Sequence, residues 1–178
     1  MCIRDSLTPN SPAKVEPEEF LGPRHFCFHP SLDVLYFSNE QDCSVTGYRL
    51  NTGDGTLSAF QTITTLPKGY TDQNTCSQIQ VSASGRFLYA PNRGHHSIAC
   101  FSIDTASGQL TGNGIVASEA RPNALCLGPQ DRFLYSAGQE SGRMASFSIN
   151  SDSGKLTPLE TYPLGKAPVW VSITELPG

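Results

Sequence analysis

The dipeptide Leu-Tyr occurs at Leu35-Tyr36, Leu88-Tyr89 and Leu134-Tyr135, and each copy brings the same companions with it. Twelve residues after each tyrosine stands an aromatic: Tyr48, Phe101 or Phe147. Twenty-one residues after it, a leucine closes a Gly-x-Leu step: Gly55-Thr56-Leu57, Gly108-Gln109-Leu110 and Gly154-Lys155-Leu156. Three copies in register at every offset mean that whatever unit this chain builds, it builds three times.

Each copy reads as four short strands. The first is apolar, at residues 26–28, 79–81 and 124–127. A turn rich in Pro, Ser, Gly and Asp leads to the second, at 34–37, 87–90 and 133–137. The third alternates apolar and polar residues, at 45–50, 98–103 and 144–149, the mark of a half-buried strand. A Gly/Asp/Ser/Asn hairpin then leads to the fourth, near 60–63, 114–117 and 159–162. Four antiparallel strands in about 46 residues make a propeller blade. Residues 169–173 repeat the first-strand pattern, with Trp170 expected in the core. The sequence therefore predicts an all-β chain, a β-propeller fragment of three four-stranded antiparallel blades plus the first strand of a fourth.

Residues 1–21 fit no repeat and read as a leader, partly spurious or disordered; 22–173 form the partial propeller and 174–178 a tail. An arc of three blades exposes unpaired edges. Its expected partner is a set of N-terminal blades of the same chain, or a second copy that closes the ring. Alone, the chain is expected to be inactive and prone to aggregate.

The net charge of −4 leaves no basic surface for nucleic acid or an anionic membrane. No apolar run reaches the roughly 18 residues of a membrane span. Six cysteines form neither a CxxC pair nor zinc-type Cys/His spacing, so they read as reduced and structural, in a cytoplasmic chain. No metal and no cofactor is expected.

Blade register alone places candidate functional residues. The start of the first strand and the end of the second share one face, because the two are antiparallel neighbours. Arg24 and His25 lie at such a start. Glu40, Arg93 and Gln139 each stand four residues after a blade tyrosine, at the same face. All five are expected to converge on one rim. The first repeat's extra residues fall at 68–75, a connection entering that face and a candidate wall of the site. Arginines there can hold phosphate or carboxylate, or stabilise an oxyanion, and a carboxylate or neutral imidazole can activate water. Structural readings compete: Arg24 and Glu40 as an ion pair tying two strands, Arg93 as a solvated loop residue, His25 as a packing partner. His29, in the turn on the opposite face, reads as structural.

Gly22-Pro23-Arg24-His25-Phe26 with His29-Pro30, Asn39-Glu40, Asn92-Arg93 and Pro168-Val169-Trp170-Val171 resemble the lactonase family of seven-bladed propellers, from Gly22 to about Ile173. The resemblance corresponds to the C-terminal part of the family fold. It implies metal-independent hydrolysis of an anionic lactone, namely 6-phosphoglucono-1,5-lactone. It implies Arg24, Glu40 and Arg93 at the family's active-site positions. On this reading Glu40, Arg24 and His25 are catalytic, and Arg93, Asn39, Asn92 and Gln139 bind substrate. The family's active-site histidine lies on an earlier blade, and His25 is not that residue. Two other readings stay open: a cyclase (lyase) acting on carboxymuconate-like acids, and a non-catalytic propeller that binds a protein or sugar. A hydrolase gathers charge at one mouth, whereas a scaffold presents aromatic and apolar residues there.

Overall fold

The computed structural model describes residues 8–174, and in it each repeat is one four-stranded antiparallel sheet. The first comprises β1 (Pro23–Phe28), β2 (Val34–Asn39), β3 (Ser44–Leu50) and β4 (Leu57–Thr64). The second comprises β5 (Gln80–Val81), β6 (Phe87–Asn92), β7 (Ser97–Ile103) and β8 (Leu110–Ala117). The third comprises β9 (Pro122–Leu127), β10 (Phe133–Gly138), β11 (Arg143–Ile149) and β12 (Leu156–Pro163). In every sheet the strands lie in chain order.

The core lies between sheets rather than within them. Val34, Tyr36 and Val45 from one face of the first blade meet Leu88, Ala90, Ala99 and Phe101 from the second. The other face of the second blade, through Phe87, Tyr89, Ile98 and Cys100, meets Leu125, Leu134 and Phe147 of the third. Successive side chains along a strand point to opposite faces, so a blade packed on both sides needs apolar residues at every position. All six residues of β6 are accordingly buried.

The two anchors of the repeat bind each other across the blade seams. The Tyr36 hydroxyl donates to the Gly108 carbonyl at 2.7 Å, and Tyr89 donates to Gly154 at 2.8 Å. The accepting glycines, and Gly55 in the first blade, have φ near +70° (Gly55 72°, Gly108 73°, Gly154 69°). That left-handed conformation strongly favours glycine. A Cβ on Gly154 would also collide with the Phe87 ring. Further seam bonds run from Ser38 Oγ to the Ser77 carbonyl at 2.8 Å and from Ser77 Oγ to the Pro122 carbonyl at 2.9 Å. His29 belongs to the first seam: it is buried, its Nε2–H donates to the Gly85 carbonyl at 2.9 Å, and its Nδ1 accepts from Leu32 N at 3.0 Å.

Two features differ from the sequence reading, and a third concerns the leader, which belongs to no blade. The fourth strands begin at the leucine of each Gly-x-Leu step, earlier than expected. The hairpin before them is tighter than its composition suggests, closed in the first blade by Asn51 N to Thr56 O at 2.9 Å. Residues 169–173 form no strand, because no described segment offers them a ladder, and Trp170 is 64% exposed instead of core. Finally, residues 10–21 lie along the face of the first blade that points away from the second. Val15 and Pro17 lie beside Tyr48, and Asn10 donates to the Asp54 carbonyl at 2.7 Å. The first seven residues, with the expected spurious opening, and residues 175–178 of the tail lie outside the described residues.

If the tyrosine–glycine bond joins the blades, Tyr89→Phe will lower unfolding stability by about 1 kcal/mol, the usual net worth of such a bond. Tyr135→Phe, which removes no glycine-turn bond, will stay within about 0.5 kcal/mol of the parent. Urea denaturation with unchanged m values checks the pair, and equal losses at the two positions would exclude a special role for the seam bond.

Candidate active site

Each second strand ends in a hairpin whose first residue is held by the connection that precedes the blade. Glu40 N donates to Gly22 O at 2.7 Å, Arg93 N to Thr75 O at 2.9 Å, and Gln139 N to Arg121 O at 2.9 Å. The backbone positions expected to share one rim are thus equivalent, and their side chains decide what the rim does.

Glu40 lies at the seam of the first two blades. One carboxylate oxygen, Oε1, accepts from Arg93 Nη2, and the other, Oε2, lies 3.7 Å from Arg24 Nε. Arg24 reaches it because β1 carries a register shift between Pro23 and His25, a bulge that re-aims the side chain. The Arg93 side chain is only 12% exposed, against 35% for Glu40. Its Nε is buried without a hydrogen-bond acceptor among the described residues, an arrangement that costs about 1–3 kcal/mol. One carboxylate against two guanidiniums leaves a net positive charge. Burial, and then the Arg93 guanidinium, push the pKa of Arg24 below the ordinary arginine value, with Glu40 opposing.

Within the connection expected at 68–75, Gln73, Asn74 and Thr75 form a wall. The Asn74 side chain accepts from Gly94 N at 2.7 Å and from His95 N at 3.0 Å, and its amide donates to Asn92 Oδ1 at 3.1 Å. Gly94 is required there, since a Cβ would collide with the Gln73 carbonyl oxygen. Cys76 N donates to Glu40 O at 3.2 Å, so the same connection also fixes the Glu40 hairpin. The result is a polar cavity of about 470 Å³ lined by Glu40, Asn74, Arg93, His96, Arg121 and Glu140, among others. That volume suits a small-molecule site.

The structure does not bring every expected residue to this cavity. Asn39 and Asn92 are 1% and 0% exposed; Asn39 serves its own hairpin, and Asn92 also ties the second blade to the connection leaving the first. Asn39 donates to Ser44 Oγ at 2.8 Å and Thr46 Oγ1 at 2.7 Å; Asn92 donates to Thr65 O at 2.9 Å and Ser97 Oγ at 3.3 Å. Their amide donors are thus engaged within the protein, and neither residue lines the cavity. Gln139 is at the rim but outside the cavity lining, which takes the next residue, Glu140. His25 is half-buried beside Arg24, with its backbone bonded to Ser38. Its pKa is lowered from 6.5, first by burial and then by Arg24, with Glu40 opposing, which favours the neutral imidazole.

Sequence reasoning missed Arg121 and Glu140. The signal was in the Xaa-Pro step before the first strand: Gly22-Pro23-Arg24 in the first blade corresponds to Arg121-Pro122-Asn123 in the third. Both steps precede a register shift in the pairing to the second strand.

The fold is that of a propeller fragment, and comparisons with known proteins place it in a family. Residues 3–173 match the family described as lactonase, 7-bladed beta-propeller, and the chain belongs to it. It is 35% identical over 155 residues to a Pectobacterium carotovorum 6-phosphogluconolactonase, covering 87% of this chain and 47% of that one. With a Yersinia enterocolitica 6-phosphogluconolactonase it shares 34% over 167 residues, covering 94% and 50%. Among solved structures it resembles the periplasmic gluconolactonase of Pseudomonas aeruginosa, with TM-score 0.84, 28% identity and coverage of 89% and 44%. A Lactobacillus plantarum protein superposes equally well, with TM-score 0.84, 27% identity and coverage of 88% and 46%. The chain spans about half the length of the curated relatives it matches.

Titrating the His25 imidazole by NMR will give an apparent pKa below 6.5, the ordinary value. Arg24→Gln will raise it and Glu40→Gln will lower it further, since the first removes a repulsive charge and the second an attractive one. A shift of either variant in the other direction would refute this electrostatic description of the rim.

Proposed function

We propose that this chain carries the arginine–carboxylate part of a metal-independent lactone hydrolase acting on 6-phosphoglucono-1,5-lactone. The observation that carries the reading is the Glu40 carboxylate held between Arg24 and Arg93 at a blade seam, beside a polar cavity. The names of the relatives support the substrate. The charged lining favours a hydrolase over a scaffold, whose mouth would be aromatic and apolar.

In the proposed reaction the lactone carbonyl oxygen faces the guanidiniums of Arg24 and Arg93. Water attacks the carbonyl carbon, and a base takes its proton. The negative charge that develops on the carbonyl oxygen is stabilised by guanidinium donors fixed in advance. The tetrahedral intermediate then collapses, the ring C–O bond breaks, the leaving oxygen gains a proton, and the open-chain acid is released. Glu40 is assigned as the base, with the neutral His25 imidazole as the second candidate. Glu40 is already oriented by two cations, so it needs no reorganisation when water approaches. A lactone is a reactive ester and requires only modest activation.

We further propose that turnover depends on blades beyond those described here. The test compares the 178-residue chain with a chimera that places the N-terminal half of the Pectobacterium carotovorum relative before it. The chain alone is expected to show no turnover above spontaneous lactone opening, and the chimera is expected to hydrolyse the phosphorylated lactone. In the chimera, Glu40→Gln is expected to lower kcat by about 10²–10⁴-fold, the usual contribution of a general base. Wild-type turnover in that variant would reduce Glu40 to a structural partner of the arginines and shift the base to His25 or to another blade.

A further inference from the structure

The third blade places an arginine where the first uses glycine. Gly22 and Arg121 each precede a proline at the start of a first strand, and each carbonyl accepts the N–H of the residue four places after a blade tyrosine. Both are left-handed, with φ of 62° and 57°. Glycine adopts that conformation freely, whereas a residue with a Cβ does so rarely. Arg121 is held there from two sides. Its N–H donates to His96 Nδ1 at 3.0 Å, and its carbonyl accepts from Gln139 N at 2.9 Å. Backbone held in a sparsely populated region directs attention to what its side chain does.

The first of these bonds also settles the His96 ring. An Nδ1 that accepts an N–H carries no proton, so in the neutral imidazole the proton is on Nε2. His96 and Arg121 both line the cavity that contains Glu40 and Arg93. That cavity therefore has a second cationic corner, supplied by the second and third blades. The Arg121 guanidinium there is paired with Glu140, with Nη1 3.3 Å from Oε1, and both side chains are about half exposed, at 46% and 56%. Such exposed pairs are weak and readily exchanged. A better anion can displace Glu140 more readily than it can the part-buried contact of Arg93 with Glu40.

We propose that Arg121 and the Nε2–H of His96 form the subsite for the phosphate group of the substrate, with Glu140 as the counter-ion that the phosphate displaces. The assignment extends the lactonase reading by dividing the cavity: Arg24, Glu40 and Arg93 face the lactone carbonyl, and Arg121 with His96 takes the distal dianion. A guanidinium is suited to this task, since its planar fork matches phosphate oxygens bidentately. Glu140 then acts as a selectivity element, because it outcompetes for Arg121 any ligand too weakly charged to replace it.

The test reads binding and turnover separately. Inorganic phosphate is titrated into the full chain, followed by the Arg121 and His96 side-chain NMR signals and by calorimetry. Saturable binding is expected. Arg121→Asn keeps a residue tolerant of the left-handed backbone and removes only the guanidinium; it should weaken phosphate binding by about 10-fold or more, as for loss of a charge-assisted contact. Glu140→Gln should tighten binding several-fold, and Arg93→Gln should leave it within about twofold. In the chimera, Arg121→Asn should reduce the preference in kcat/KM for the phosphorylated lactone over glucono-1,5-lactone by a similar factor. No saturable phosphate binding to the wild-type chain overturns the subsite, as does binding lost in Arg93→Gln but kept in Arg121→Asn. Neither result touches the lactonase reading, which stands or falls on Glu40→Gln turnover. Conversely, phosphate binding that depends on Arg121 in a chimera without lactonase activity would keep the subsite and reject the hydrolase.

Discussion

The blades are joined by a hydroxyl that reaches out of one sheet and ends on the hairpin of the next. Tyr36 to Gly108 and Tyr89 to Gly154 are buried bonds between side chain and backbone, made where the chain passes through a left-handed turn. The bond fixes more than the distance between sheets. It ties the second strand of one blade to the third-to-fourth hairpin of its neighbour, which sets the relative rotation of the two. The apolar clusters that hold Val34 with Leu88, and Phe87 with Phe147, supply the bulk of the attraction but little direction. The rim geometry follows from this fixed rotation, because Glu40 and Arg93 meet only if neighbouring second strands end at the same height.

The candidate site is therefore a property of the seam and not of any blade. Arg24 and Glu40 come from one sheet and Arg93 from the next. Separating the blades would return all three to water, and holding them together desolvates most of Arg93. A partly buried ion pair of this kind is poor support for stability, since desolvation offsets much of the Coulomb gain. The unpaired Arg93 Nε adds to that cost. The stability of the seam rests on the tyrosine–glycine bonds and the apolar cluster rather than on the arginines.

Much of this was legible in the sequence, for a definite reason. Repetition averages out local ambiguity: Leu35-Tyr36, Leu88-Tyr89 and Leu134-Tyr135 each mark a second strand, and the third strands fell into place by offset. The same averaging placed Glu40 and Arg93 at one rim. It says less where a residue type has two uses. Asn39 and Asn92 are polar residues beside the site whose amide donors are engaged within the fold, Asn39 in its own hairpin and Asn92 also on Thr65 after the first blade's last strand. It failed for residues 169–173, because an apolar alternation records what a strand would bury and not whether a neighbour is there to pair with it. Trp170 is exposed for the same reason. It missed Arg121 because the matching position in the first blade is a glycine, and a glycine gives no hint that the slot can carry a functional side chain.

That last miss indicates where chemistry enters a repeat protein. The backbone bond from the residue four places after each tyrosine to the preceding connection recurs in all three blades: Glu40 to Gly22, Arg93 to Thr75, Gln139 to Arg121. None of these six side chains is needed for the bond, so the fold places no demand on them, apart from the conformational preference at Gly22 and Arg121. They are free to differ, and they do: a carboxylate, a guanidinium and an amide on one side, and a glycine, a threonine and a guanidinium on the other. The positions that repeat build the propeller. The positions that share a backbone frame and differ in side chain build the site, and the left-handed Arg121 is the clearest case, because there the fold favours glycine and the chain carries a cation instead.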